Sequence, residues 1–223
     1  MGKKVLIVTG SETGTTEREV KTIVAEWEGK KDKKFDVTTI SGNKIAKEFD
    51  NIVDNYDLMV VVTSSFGDGD APSSFSLFLD KLYEKKLEAA NGGILDGMQH
   101  CVLGYGSTVY ETFQNCPRLT DRLLEECGSR RFMERVEIDE CDPSADQMKA
   151  VEGWKDKCYK YLNKPGPATA EHAVKWAIPD GAMVLEKNPE AEESKSGNLL
   201  IFLALLGAII AFAMRDKLQA LMG

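Results

Sequence analysis

Two short runs of this chain are apolar at nearly every position: Val5–Val8, closed by Thr9 and Gly10, and Leu58–Thr63, which reads LMVVVT. A strand with one face in water alternates apolar and polar residues, so a strand without alternation has both faces covered. That requirement is met when helices pack on both sides of a parallel sheet, and the intervening sequence supplies helices. Thr16 and Glu17 open one whose Val20, Ile23, Val24 and Trp27 recur at i, i+3, i+4 and i+7. Phe35–Ile40 reads as a second strand and Leu58–Thr63 as the third and central one. Phe75, Phe78, Leu79 and Leu82 give the next helix its stripe. Cys101–Gly104 ends a fourth strand, and Leu119, Leu123, Leu124 and Cys127 line the helix after it. Arg131–Ile138 supplies a fifth strand, and Met148, Val151, Cys158 and Leu162 a closing helix. Repeated β-α units with short connections predict an α/β fold: an open parallel sheet with helices on both faces. Such a sheet binds ligands beyond the carboxyl ends of its strands, which directs attention to the loops after the first, third and fourth.

Composition narrows the function. Lys and Arg number 28 against 36 Asp and Glu, a net charge of −8 without a basic block, which excludes a nucleic-acid backbone as partner. Five scattered cysteines, none spaced C-x-x-C, argue against a disulfide framework or a zinc site and suit a reducing compartment. His100 and His172 are the only histidines, too few for a His-based metal centre.

The texture changes near residue 163. Residues 164–197 form a polar, Pro-punctuated linker ending in the acidic run Glu190–Glu193, with Trp176 as one apolar anchor. Residues 198–214 follow, and within them Leu199–Met214 reads LLIFLALLGAIIAFAM without a charge. A soluble core helix keeps a polar stripe; this segment has none, so a single transmembrane helix is expected, of roughly 24–27 Å. Residues 215–223 make a short tail. The N-terminal apolar run is too brief for a secretory signal, and Leu6 stands where a myristoylation motif needs Ser or Thr. The expectation is a single-pass protein with residues 1–163 facing the cytosol, on a thin membrane such as the endoplasmic reticulum or the outer mitochondrial membrane.

Three loops carry the chemistry. The first, Ser11-Glu12-Thr13-Gly14-Thr15-Thr16, joins a buried strand to a helix, so backbone N–H groups and the helix dipole form an anion cradle. It holds no cationic side chain, which suits a phosphomonoester held by neutral donors. The plainer alternative is a Ser/Thr-rich helix cap. The second loop, Ser64-Ser65-Phe66-Gly67-Asp68-Gly69, and the third, Leu103-Gly104-Tyr105-Gly106-Ser107-Thr108 with Tyr110, Phe113 and Asn115 beyond, each set an aromatic beside glycines. Two such loops beside a phosphate cradle point to a flat, phosphorylated ligand between rings.

The segments TGSETGTTE, TSSFGDGDAPSSF and VLGYGSTVYETFQN resemble the three FMN-binding segments of the flavodoxin family. They are most similar to the FMN domains of diflavin reductases, and the similarity runs from about Val5 to Leu162. The resemblance implies a five-stranded sheet of order 2-1-3-4-5 and FMN as cofactor. Its phosphate would rest on Ser11 to Thr16, with Phe66 and Tyr110 covering the two ring faces. Gly67 would present its peptide to flavin N5, and Gly104, Gly106, Ser107 and Thr108 would meet the pyrimidine edge. Asp139 matches the family acid near the flavin and Asn115 the Asn after the aromatic loop. Diflavin reductases continue into an FAD and NADPH module, whereas this sequence continues into a linker and an apolar run. The resemblance therefore implies an electron carrier more than a stand-alone enzyme. A separate FAD/NAD(P)H reductase would be its donor and a membrane-associated haem or iron protein its acceptor. Asp68, Asp70, Glu111, Asp139, Glu140 and Asp142 would steer basic partners. Two alternatives are an NAD(P)H:quinone oxidoreductase, which needs one open flavin face, and a non-redox adaptor that keeps the fold.

Overall fold

The computed structural model describes residues 2–88 and 93–168. It is built from β1 (Lys3–Gly10), α1 (Thr15–Glu28), β2 (Phe35–Ser41), α2 (Gly42–Ile45), a 3-10 turn (Ala46–Asn51) and α3 (Ile52–Asn55). The chain continues through β3 (Leu58–Ser64), α4 (Ser76–Glu88), β4 (Gln99–Gly106), α5 (Asn115–Glu126), β5 (Arg130–Arg131), β6 (Val136–Asp139) and α6 (Ser144–Asn163). All neighbouring strands are parallel, in the order β2-β1-β3-β4-β5, with β6 also on β4.

The apolar runs behave as their lack of alternation requires. Val5 and Ile7 of β1 join Val60, Val62, Cys101 and Leu103 beneath Val20, Ile23 and Trp27 of α1 and Trp154, Cys158 and Leu162 of α6. Leu6, Val8, Met59, Val61 and Val102 are equally buried. Alternation along a strand puts them on the other face, where α2 packs on β1 and α5 on β3 and β4. Burying one such side chain contributes about 1.5–3 kcal/mol, so the sheet centre is the stable part of the molecule.

Two readings are corrected. The fifth strand, expected over Arg131–Ile138, is broken into β5 and β6. After Phe132 the chain leaves the ladder, and Arg131 and Arg135 both turn onto the buried carboxylate of Asp121. A strand that must place two arginines on one carboxylate gives up pairing to do so. Met148 is 62% exposed, and the buried face of α6 is Val151, Trp154, Cys158, Tyr159 and Leu162. Residues 42–55 wind into short helical turns that bury Ile45, Phe49 and Ile52 at spacings of three and four.

The carbonyl of Gly166 accepts hydrogen bonds from the Tyr161 hydroxyl at 2.6 Å and Gln99 Nε2 at 3.2 Å, which ties residues just past α6 to the amino end of β4. Among the described residues no helix is long and apolar enough to cross a membrane. The expected transmembrane segment 198–214, the tail 215–223 and the linker from residue 169 onward lie outside the described residues.

Candidate cofactor site

The loops leaving the carboxyl ends of β1, β3 and β4 enclose a cleft of about 350 Å³. Parallel strands all end on the same side, so three segments far apart in sequence meet there without any long excursion.

The first loop is held from several directions. Gly14, at φ 74, is the N-cap of α1 and has no side chain to cap it, which leaves first-turn amides other than that of Thr16 to an anion. The Ser11 hydroxyl accepts from the Thr16 N–H at 3.2 Å and donates to Glu17 Oε2 at 2.5 Å; the Thr16 hydroxyl donates to the same oxygen at 3.2 Å. Thr13 and Thr15 hydroxyls lie 3.1 Å apart. Glu12 accepts from the Ser73 N–H at 2.7 Å, and the Ser74 hydroxyl donates to the Ser11 carbonyl at 3.1 Å, so the stretch after the second loop buttresses the first. Ser11, Glu12, Thr13, Thr15 and Thr16 line the cleft as expected. One expectation fails: the loop is not without a cation. Arg18, one turn into α1, brings its guanidinium back to the Thr13 carbonyl and the Thr15 hydroxyl.

The second loop closes on itself. Phe66 and Asp70 exchange backbone hydrogen bonds of 3.0 and 2.8 Å around Gly67, Asp68 and Gly69. Gly67 sits at φ +53 and has only Asp70 near the place of a Cβ, so its peptide has room to turn. Gly69, at φ +96, would drive a Cβ to 2.7 Å from Thr112 and 2.8 Å from Asn115; this close approach docks the second loop on the third. Asn115 Nδ2 donates to the Gly69 carbonyl at 3.1 Å, and Ser65 Oγ accepts from the Cys116 N–H at 3.1 Å. Ser64, Ser65, Phe66 and Gly67 line the cleft; Asp68 and Gly69 do not.

Tyr105, Gly106, Ser107, Tyr110 and Phe113 bring the third loop to the cleft, joined by Thr112 and Glu140. Leu103 is wholly buried in the core, and Gly104 serves packing: a Cβ there would stand 2.1 Å from Gln114 Oε1. Gln114 is the residue that sequence reasoning missed. Fully buried at φ 61, it donates from Nε2 to the carbonyls of Gly104 at 3.1 Å and Ile138 at 3.0 Å, pinning the loop to β4 and β6. A single polar residue between an aromatic loop and a helix carries no periodic signal.

Thr108 and Asp139 do not line the cleft. Asp139 accepts from the Thr108 N–H at 3.0 Å, the Thr108 hydroxyl at 2.6 Å and the Cys141 N–H at 2.9 Å. Burial alone would raise its carboxyl; the Thr108 hydroxyl and the two amides outweigh that and hold it below the ordinary value. Asp139 thus shapes the third loop, with its oxygens engaged there. Asp68, Asp70, Glu111, Glu140 and Asp142 are exposed, and Glu140 lines the cleft.

Phe66 and Tyr110 are the rings left over. They are 53% and 58% exposed, both line the cleft, and each stands on a loop braced by the contacts above. Large aromatics normally lose most of their exposure on folding, so two held open on neighbouring loops present stacking surface to a ligand. An amide-rich cradle with Arg18 beside it, together with two exposed rings lining the same cleft, fits a phosphorylated flavin.

The flavodoxin family model matches residues 7–154. Among curated proteins, the chain is 33% identical over 139 residues to the sulfite reductase [NADPH] flavoprotein alpha-component of Neisseria meningitidis serogroup C, covering 59% of this chain and 21% of that one. It is 32% identical over 105 residues to methionine synthase reductase of Caenorhabditis elegans, covering 47% of this chain and 14% of that one. The chain thus spans about a fifth or less of the length of these relatives. Among solved structures, oxidised flavodoxin 1 from Bacillus cereus matches with a TM-score of 0.52 at 18% identity, over 71% of this chain and 98% of that one. A Pseudomonas aeruginosa flavodoxin matches with a TM-score of 0.55 at 21% identity, over the same shares. With the sheet order, the cradle and the paired rings in place, the chain belongs to the flavodoxin family of FMN electron-transfer domains, and FMN is its cofactor.

Proposed function

We propose that this protein is a membrane-tethered one-electron carrier. In this reading a separate FAD/NAD(P)H reductase reduces its FMN, and a membrane-associated haem or iron protein takes the electrons. The observation that carries the reading is the pair of exposed rings, Phe66 and Tyr110, that both line the cleft. A flavin covered on both faces leaves no face for a nicotinamide or quinone to lie against, which disfavours the quinone oxidoreductase alternative; electrons can still pass through the exposed edge. The chain's part is to bind the phosphate in the first loop, keep the ring between two aromatics, and present Gly67 at the turn of the second loop. The exposed acids favour partners with basic docking faces.

The tether is the charge-free run Leu199–Met214, joined to the flavin domain by the Pro-punctuated stretch before it. Its effect would be to raise the concentration of the flavin near partners in the same membrane. We place the flavin domain on the cytosolic face of the endoplasmic reticulum or the outer mitochondrial membrane, because the run is short and Lys195, Arg215 and Lys217 flank it.

Anaerobic spectra of membranes carrying the full chain test the whole reading. NADPH alone should leave the flavin oxidised, and NADPH with a soluble FAD-containing reductase should bleach it. Bleaching by NADPH alone would show an enzyme in its own right. Recovery of the protein in the soluble fraction after lysis would remove the tether.

A further inference from the structure

The first loop has a shortage of free protons that its sequence conceals. A hydroxyl carries one donor proton, and those of Ser11 and Thr16 both go to Glu17 Oε2, at 2.5 and 3.2 Å. A carboxylate therefore lies on two of the four hydroxyls that the loop offers. Thr13 and Thr15 share one contact of 3.1 Å, which leaves one outward proton between them. An entering phosphate finds amides, roughly one hydroxyl and a neighbouring carboxylate of its own sign. Neutral donors alone would leave that repulsion uncompensated.

Arg18 is the compensating group. Its Nη1 donates to the Thr13 carbonyl at 3.1 Å and its Nη2 to the Thr15 hydroxyl oxygen at 3.2 Å, bridging the loop on either side of Gly14. Nη1 stands 3.6 Å from the place of a Gly14 Cβ, and Glu17 Oε2 stands 4.0 Å from it, so cation and carboxylate flank the same turn. The guanidinium is planar with five N–H donors, so it can clamp the loop and still carry unused donors and a full charge. By donating to the oxygen of Thr15 it also leaves the Thr15 proton free to point elsewhere. A donor that is itself hydrogen-bonded through its oxygen becomes a stronger donor.

We propose that Arg18 is the positioning residue that makes this site read the phosphate charge, so that the protein selects FMN over riboflavin. It fixes the Thr13–Thr15 turn and offsets Glu17 as the dianion enters. The inference rests on FMN being the cofactor. Arg18 is exposed, so solvent screening limits its effect to about a tenfold change in affinity.

The test compares the two flavins, which differ only in the phosphate. Apoprotein of the full chain in detergent is titrated with FMN and with riboflavin, as wild type and as Arg18→Gln and Arg18→Lys. Arg18→Gln should weaken FMN about tenfold and change riboflavin by less than twofold, and the dependence of FMN affinity on salt should flatten. Arg18→Lys should keep the salt dependence and recover part of the affinity, because the charge stays while the two-pronged clamp is lost. Equal weakening of both flavins would make Arg18 a structural residue and overturn the proposal, as would FMN binding unchanged in Arg18→Gln. A wild type that binds neither flavin would overturn the cofactor assignment as well, which separates the two failures.

Discussion

Two aspartates stand at opposite ends of β4, and each collects donors from elements that the sequence keeps apart. At the amino end, Asp121 of α5 is 1% exposed and takes Arg131 Nε at 2.8 Å, His100 Nε2 at 3.1 Å and the guanidinium of Arg135. At the carboxyl end, Asp139 takes two groups of Thr108 and the amide of Cys141, in a setting open enough to face water. The motif is the same and the medium differs. In the low dielectric around Asp121, the carboxylate is the counter-charge for cations that have no water to fall back on. Around Asp139, loss of the carboxylate can be repaired by solvent. The first aspartate belongs to the fold and the second to the site.

The largest effect should come from deleting the buried carboxylate. Asp121→Ala leaves Arg131 and Arg135 facing a cavity, and removing one partner of a buried ion pair costs about 3–5 kcal/mol. Urea unfolding should show a correspondingly lower midpoint, or no cooperative transition. A loss below about 1 kcal/mol would mean that the remaining acids, Glu125 and Glu137, hold the arginines without Asp121.

A smaller effect should follow from acid alone. Burial holds the His100 ring below its ordinary pKa, against the pull of Asp121 in the other direction, so the imidazole is neutral, with Nε2 3.1 Å from Asp121 and Nδ1 2.8 Å from the Ser129 hydroxyl. The folded-state pKa is depressed, so the unfolded chain takes up the proton first. The stability from neutral His100 is complete above about pH 6.5 and is lost as pH falls below it, by at most about 1.4 kcal/mol per pH unit. Asp121 acts in the same sense at lower pH: burial would raise its carboxyl, but the hydrogen bond with His100 and the charges of Arg131 and Arg135 keep it well below the carboxylate range. Unfolding free energies at pH 7 and pH 5 should differ by about 1–2 kcal/mol. A flat profile would mean that His100 protonates in the folded state without penalty.

The smallest effect should come from the half-buried aspartate. Asp139→Asn keeps one acceptor for Thr108 and loses another, worth about 1 kcal/mol or less. It should loosen the third loop, and so weaken FMN by a few-fold in a titration, while the unfolding midpoint stays in place. A variant that lost stability as Asp121→Ala does would collapse the distinction between the two ends of β4.

Much of this molecule is written in its residues. The sheet follows from runs such as Val5–Val8 and Leu58–Thr63, because apolar residues at consecutive positions can be satisfied only by cover on both faces. The three loops and the two rings were legible because glycines, hydroxyls and aromatics cluster after those runs, and strand ends are where a parallel sheet leaves space.

Tertiary structure decided the rest, for a single reason: a polar side chain's partner is set in space and not by spacing along the chain. Arg18 reads as an exposed helix residue until its guanidinium is seen on the Thr13–Thr15 turn. Gln114 carries no pattern, yet it pins the third loop to two strands. Arg131 and Arg135 break a strand that β-propensity would continue, because Asp121 waits on a helix ten and fourteen positions earlier. Hydrophobic burial repeats along the chain with the period of each element, so sequence alone determined the layers. Hydrogen bonds and ion pairs are closed by whichever residues the layers bring together, so only the folded chain determined how the site is held and charged.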